Sequence, residues 1–256
     1  MPKLSSIIIT KNEEENITRC LESIKDISDE IIIVDSFSED NTEKICKKYN
    51  VRFFQKEFKG YASQRNFAAG LSNNDYVLFI DADEEISNEL KNNINIIKEK
   101  YSFDAYKLKR LNNYCGKWIK HSGWYPDEKL RLYNKNKAEW IGEDIHEELI
   151  LKDHSKISVI QGHLFHYTYP SISTHISDIE KYSILSARSK FKKGKRISVI
   201  FILFRLFYSF FYRYFIRLGI LDGYYGFVIS IISAYGNFIK DILLLEMHKK
   251  SRKQHA

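Results

Sequence analysis

Residues 76–85, YVLFIDADEE, constrain this chain more than any other stretch. Five consecutive apolar or aromatic residues, Tyr76 to Ile80, run straight into Asp81-Ala82-Asp83. A run this short, with β-branched members and no polar alternation, predicts a strand covered on both faces. Two carboxylates at i and i+2 off the end of such a strand are costly unless something pairs them. Hard divalent cations take oxygen ligands and are commonly held by one or two carboxylates plus substrate phosphates. Open α/β sheets bind ligands at the carboxyl ends of their strands. The same residues also suit a solvated acidic turn or a first helical turn, where acids meet the positive end of the helix dipole.

The preceding sequence supplies partners for that strand. Strands are predicted at residues 4–10, 30–35 and 51–54, and helices at 16–25, 42–49 and 61–71. Alternating strands and helices with short loops predict a mostly parallel α/β sheet with right-handed crossovers. The strand at 30–35 ends in Asp35 as the later one ends in Asp81, which puts both carboxylates on one sheet edge. There is no Walker A sequence and no GxGxxG, so neither a P-loop nor a dinucleotide site is expected. Phosphates bound here need a cation, and Asp81 and Asp83 offer it a place.

After Glu85 the pattern changes. A helix is predicted at 87–100 and strands at 105–111 and 129–133. Residues 112–124, dense in Gly, Trp, Tyr and polar side chains, read as a substrate loop. Residues 140–149 concentrate Glu143, Asp144, Glu147 and Glu148 around His146, and residues 157–169 close the body with His163 and His166.

The net charge of +7 divides unevenly. Residues 189–256 hold 13 Lys or Arg against 3 Asp or Glu, and the rest of the chain holds 27 against 30. An anionic surface partner is therefore expected for the tail and not for the body. A nucleic-acid partner is not expected, because its positive charge would follow a groove on the body. The tail is also almost continuously apolar and aromatic from 197 to 238, with Arg205, Ser209, Arg213 and Arg217 at four-residue intervals. Arg205 interrupts the apolar run too early for a clean spanning helix. An interfacial amphipathic helix fits better, with Lys190, Lys192, Lys193, Lys195 and Arg196 ahead of it for anionic head groups. Packing on the body or on a second copy, as a homodimer, is the other reading. The expected division is a catalytic domain over residues 1–188 and a helical, amphipathic extension over 189–256. Three cysteines without CxxC spacing fit a reducing compartment, and no signal peptide is recognised at the start.

Several of these stretches together resemble the family 2 inverting glycosyltransferases. They are IIIT-KNEE at 7–14, IIIVDSFSEDNT at 31–42, Gln64-Arg65-Asn66, and Asp81-Ala82-Asp83. The resemblance implies the GT-A fold, a Rossmann-like, mostly parallel sheet flanked by helices, and a nucleotide-sugar donor, with UDP-sugars favoured. Later stretches, SGWYPDEKLRLY, IGEDIHEEL and Leu218 to Gly223 with Gly226-Phe227, resemble the lipopolysaccharide-core β-1,4-glucosyltransferase group. By that resemblance a hexose such as glucose passes to a lipid-linked saccharide on the cytoplasmic face of a bacterial inner membrane. Thr10, Asn12 and Glu14 would line the nucleotide pocket, Asp35 would contact base or ribose, and Arg65 would lie beside the base. Asp81 would approach ribose and metal, with Asp83 the direct ligand of Mn²⁺ or Mg²⁺. Asp35-Ser36-Phe37 departs from the Asp-Asp-Gly or Asp-Gly-Ser of many relatives, which leaves the nucleotide open.

Inverting transfer needs a base for the acceptor hydroxyl and charge stabilisation of the leaving diphosphate. The resemblance favours Glu147 as base, with Asp144 next; these acids also suit a helix N-terminus. His166 is a candidate to complete the metal shell, or a hydrogen-bonded core residue. Arg131 is a candidate to face the diphosphate or to form a salt bridge. Trp118, Trp124 and Tyr125 are candidates to stack on the acceptor sugar, or satellite core. Two other functions remain open at this point: a nucleotidyltransferase, which usually carries a Gly-rich phosphate loop, and a non-catalytic membrane scaffold, which has no reason to keep the carboxylates.

Overall fold

The computed structural model describes residues 2–142 and 147–254. The chain divides into two compact units, Met1–Leu111 with Asp127–His166, and Asn112–Pro126 with Tyr167–Ala256.

The first unit begins with β1 (Leu4–Thr10), α1 (Ile17–Ile24), β2 (Glu30–Asp35), α2 (Thr42–Cys46), β3 (Arg52–Gln55), α3 (Tyr61–Gly70) and β4 (Tyr76–Phe79). β1 pairs in parallel with β2 and β4, and β2 with β3. Alternate side chains leave by opposite faces. Leu4, Ile8, Ile31, Ile33 and Leu78 pack with Ile17, Leu21 and Ile24 of α1. Ile7, Ile32, Val34, Val77 and Phe79 pack with Ala62 and Ala68 of α3. Both faces are dry, which is why these strands read as unbroken apolar runs.

Beyond β4 come β5 (Glu84–Ile86), α4 (Asn88–Glu99), β6 (Ala105–Tyr114), β7 (Lys117–Ile119), β8 (Asp127–Asn134), β9 (Ala138–Ile141), β10 (Glu148–Leu151) and β11 (Ile157–Tyr169). The sheet order is β3-β2-β1-β4-β8-β6-β11-β5, with β7 on β6 and β9–β10 a separate pair. β8 is antiparallel to both β4 and β6, and β5 to β11. The sheet is thus mixed: parallel in its first four strands and antiparallel beyond. Parallel pairing needs long crossovers, and the crossover helices give out after α4.

Two local expectations are corrected. Residues 112–119 are no loop: Asn112–Tyr114 pair with Lys117–Ile119 around Cys115 and Gly116, whose φ values of 50° and 86° suit a tight primed turn. Glu147 and Glu148 lead into a strand and not into the first turn of a helix. Asp144, with Glu143 and His146, lies outside the described residues.

The second unit contains α5 (Ile172–Lys192), α6 (Val199–Phe211), a π turn (Tyr212–Ile216), a short 3₁₀ turn (Gly219–Asp222) and α7 (Gly223–Gln254). α5 and α6 both pack on α7. The expected boundary at residue 188 falls inside α5, because the change in charge there does not coincide with a change in packing. The stripe of Arg205 and Ser209 also faces inward rather than toward water. Arg205 donates to both Asp241 oxygens of α7 at 3.0 and 2.8 Å, and Asn237 donates to Ser209 Oγ at 2.9 Å. What α6 exposes is apolar: Ile200 at 82%, Phe204 at 61% and Phe207 at 72%. Val199–Ile216 and Gly219–Ser251 are long and apolar enough to cross a membrane by length and composition.

Candidate active site

The carboxyl ends of β1 and β2 are tied together by reciprocal bonds. Asp35 is fully buried and accepts from Thr10 Oγ1 at 2.9 Å, Ser38 N–H at 2.7 Å and Ser38 Oγ at 2.5 Å. Asn12, held at φ 56°, donates its N–H to Ser38 Oγ and accepts from Glu39 N–H, each at 2.8 Å. Glu14 accepts from Asn41 N–H and Nδ2, while its own N–H donates to Asp40. Thr10, Asn12, Glu14 and Asp35, four of the six residues expected to meet the nucleotide, are thus all tied into the bonds between the ends of β1 and β2. In this structure both Asp35 oxygens are hydrogen-bonded within the chain.

At the end of β4 the chain turns sharply. Glu84 N–H donates to Asp81 C=O at 2.9 Å, and Asp81 N–H donates to Glu84 Oε2 at 3.0 Å. This turn holds Asp81 against arginines. Arg65 Nη2 donates to Asp81 Oδ1 at 3.2 Å, and Arg131 Nη2 donates to Asp81 Oδ2 and, at 2.8 Å, to Glu84 Oε1. Burial raises the Asp81 carboxyl, but Arg131 and then Arg65 overcome it and hold the group well below the usual carboxylate range. Glu84, fully buried, is pushed up by burial despite Arg131. Arg65 reaches further: Nη1 donates to Glu147 Oε1 at 3.0 Å, and its guanidinium lies 4.4 Å over the Trp140 ring. Asp81 and Glu147, far apart in sequence, thus share one cation. They line an open pocket of about 830 Å³ with Arg131, Lys107 and Arg110.

β5 and β11 pair so that Glu84 lies opposite His166, and His166 Nε2 comes to 3.1 Å from Asp83 Oδ2. The expected three-ligand set is not assembled, because Asp81 is engaged by the arginines; among the described residues no group of three or more His, Cys, Asp or Glu is placed to hold a metal. The Asp83–His166 pair nevertheless fits a divalent cation that takes few protein ligands and completes its shell with waters and substrate phosphates.

Residues 5–165 match the profile of glycosyl transferase family 2. The chain belongs to that family. This glycosyltransferase is 36% identical to an uncharacterised glycosyltransferase of Rickettsia typhi, over 98% of its own length and 90% of the relative's. It is 26% identical to the lipopolysaccharide core biosynthesis glycosyltransferase LpsC of Rhizobium meliloti, over 97% of this chain and 94% of that one. A solved mycobacterial protein shares its fold at a TM-score of 0.50 and 14% identity, over 73% of this chain and 74% of that one.

The remaining candidates of the glycosyltransferase have two readings each. Arg131, 4% exposed, makes the salt bridge that is its other reading, with Asp81 and Glu84, and also lines the open pocket. Trp118, Trp124 and Tyr125 all belong to the second unit. Trp118 meets Tyr167 edge-on at 5.4 Å, and Trp124 packs on Tyr114 at 5.7 Å, so both have core contacts. Sequence reasoning passed over Glu84 and Trp140. Glu84 had a signal, its place directly after Asp81-Ala82-Asp83; Trp140, 74 residues beyond its hydrogen-bond partner Asn66, had none.

Proposed function

We propose that this glycosyltransferase moves a hexose, with inversion, from a UDP-sugar to a lipid-linked saccharide of the lipopolysaccharide-core kind. The observation that carries the reading is Arg65, which spans Asp81 and Glu147 across the mouth of one pocket. The acceptor hydroxyl oxygen attacks the anomeric carbon, the bond from that carbon to the diphosphate oxygen breaks, and Glu147 takes the hydroxyl proton. Arg65 orients Glu147 for that role by donating to its Oε1, and with Arg131 keeps Asp81 ionised beside the ribose. Asp83 and His166 would hold Mn²⁺ or Mg²⁺, which when bound supplies positive charge to the leaving diphosphate. The name of the LpsC relative supports the acceptor class.

The enzyme works at the cytoplasmic face of the inner membrane in this reading. The exposed apolar side of α6 enters the interface, and Lys190, Lys192, Lys193, Lys195 and Arg196 meet anionic head groups. Calorimetric titration with UDP, with and without Mn²⁺, tests the donor half. Manganese-dependent binding that survives Glu147→Gln while sugar transfer is lost is the expected result. Folded protein that binds no nucleoside diphosphate refutes the donor assignment, and normal turnover by the variant removes Glu147 as base.

A further inference from the structure

The second unit holds a cavity of about 630 Å³ that the transfer chemistry does not use. Arg205, Arg213, Arg217, Tyr125, Tyr208 and Tyr212 line it. The π turn and its cap bring the last two arginines to one place: Arg217 N–H donates to Tyr212 C=O at 2.7 Å, and a Cβ on Gly123 would lie 3.8 Å from both Arg213 Nη1 and Arg217 Cγ. π turns are frequent at functional sites. The segment that leads into Gly123 of the lining is tied down by hydrogen bonds. Asp222, 3% exposed, accepts from Lys120 N–H at 3.2 Å and His121 N–H at 2.9 Å, and Ser122 N–H donates to Arg217 C=O at 2.9 Å.

The charges in this cavity are not balanced. Asp241 answers Arg205 and is shared by Lys190 at 3.6 Å. Arg213 spends Nη1 on the Ser122 carbonyl at 3.1 Å, and Arg217 spends Nε on the Tyr212 hydroxyl at 2.8 Å. Among the described residues neither has a carboxylate within ion-pair distance. Lys240 nearby is pushed down to about 8 by burial, then by Arg205 and Lys190. Arginines with unspent terminal N–H groups are suited to forked recognition of phosphate oxygens. Tyr208 both lines the cavity and, at 52% exposure, belongs to the apolar face of α6, beside Phe204 and Phe207.

The geometry points to a binding site for the phosphate monoester or diphosphate of a membrane amphiphile, with its hydrocarbon lying along the apolar face of α6. This deepens the acceptor assignment: it rests on that reading for the role of the bound group, which becomes the phosphorylated part of the lipid acceptor, but not for the anion site itself.

The test is co-sedimentation of the full chain with phosphatidylcholine vesicles carrying phosphatidic acid, a monoester, against vesicles carrying phosphatidylglycerol, a diester, at equal charge. Wild type is expected to favour phosphatidic acid, and Arg217→Ala to weaken that binding roughly tenfold or more, the effect of removing one charged hydrogen-bond donor. Arg217 is solvent-exposed, so the variant should fold; Arg213→Lys, which keeps a donor for Ser122, is the second variant and should also lose the preference. Equal binding to the two vesicle types, or a preference kept by both variants, overturns the site. Inorganic pyrophosphate that binds as tightly without lipid, with the same sensitivity to Arg217→Ala, overturns the lipid source in favour of a soluble phosphate compound. UDP titration of the wild type runs alongside. Absent UDP binding with the monoester preference intact overturns the acceptor role alone; UDP binding without the preference overturns the anion site alone.

Discussion

His175 of α5 should make the second unit acid-sensitive. The side chain is 2% exposed and ringed by aromatics: its Nδ1 lies 3.0 Å from the Tyr114 hydroxyl, and its ring stacks on Tyr169 at 4.4 Å. A neutral ring can accept from Tyr114 at Nδ1, whereas a protonated ring cannot and would place a charge among apolar groups. Burial accordingly pushes the imidazole from its ordinary value of 6.5 down to about 4. Because the folded value is the lower one, the unfolded chain takes up the proton first. Stability is whole above the unfolded value and is lost as pH falls through the window from 6.5 to about 4. At about 1.4 kcal/mol per unit, the full loss is about 3 kcal/mol. Urea unfolding across that window, with hydrogen exchange of α5 as the local readout, measures it. In His175→Gln, which keeps a polar partner for Tyr114 but does not titrate, this share of the pH slope should vanish, leaving a constant offset. An unchanged slope in the variant would refute the assignment to His175.

Other perturbations probe the packing. Arg131→Met should destabilise the first unit by about 3–5 kcal/mol by removing the buried cation that Asp81 and Glu84 share; a change below about 1 kcal/mol in urea unfolding would show that Arg65 and Arg110 suffice to neutralise them. Gly226→Ala would put a Cβ 1.8 Å from the Gly219 carbonyl oxygen, so α7 must shift. A loss of about 3 kcal/mol or more is expected in thermal unfolding. Gly70→Ala, with nothing within 4 Å of the added Cβ, is the matched control and should stabilise α3 by about 0.5–1 kcal/mol.

Much of the first unit was legible because its information is local. Val77, Leu78 and Phe79 form one unbroken apolar run, and a strand dry on both faces is what such a run becomes. The antiparallel half was harder to read, since Lys129 to Tyr133 can pair in either sense and only the loop lengths around it decide. In the site, the carboxylates were found but their partners were not. The paired loops at 11–16 and 36–41 explain why: Asn12 meets Glu39 and Glu14 meets Asn41 only after β1 and β2 are in register.

The sequence by itself determined an α/β sheet whose strands end in Asp35 and Asp81, a family 2 glycosyltransferase, and a tail where the positive charge accumulates. Tertiary structure alone decided which charges meet. Asp81 is bridged to Glu147 by Arg65, Glu84 is buried against Arg131, and the Arg205 stripe turns to Asp241 instead of water. The physical reason is range. Periodicity shows which residues share a face within a strand or helix, but not what that face will touch. Ion pairs form between residues as much as 82 positions apart, wherever folding brings opposite charges into the same low-dielectric space.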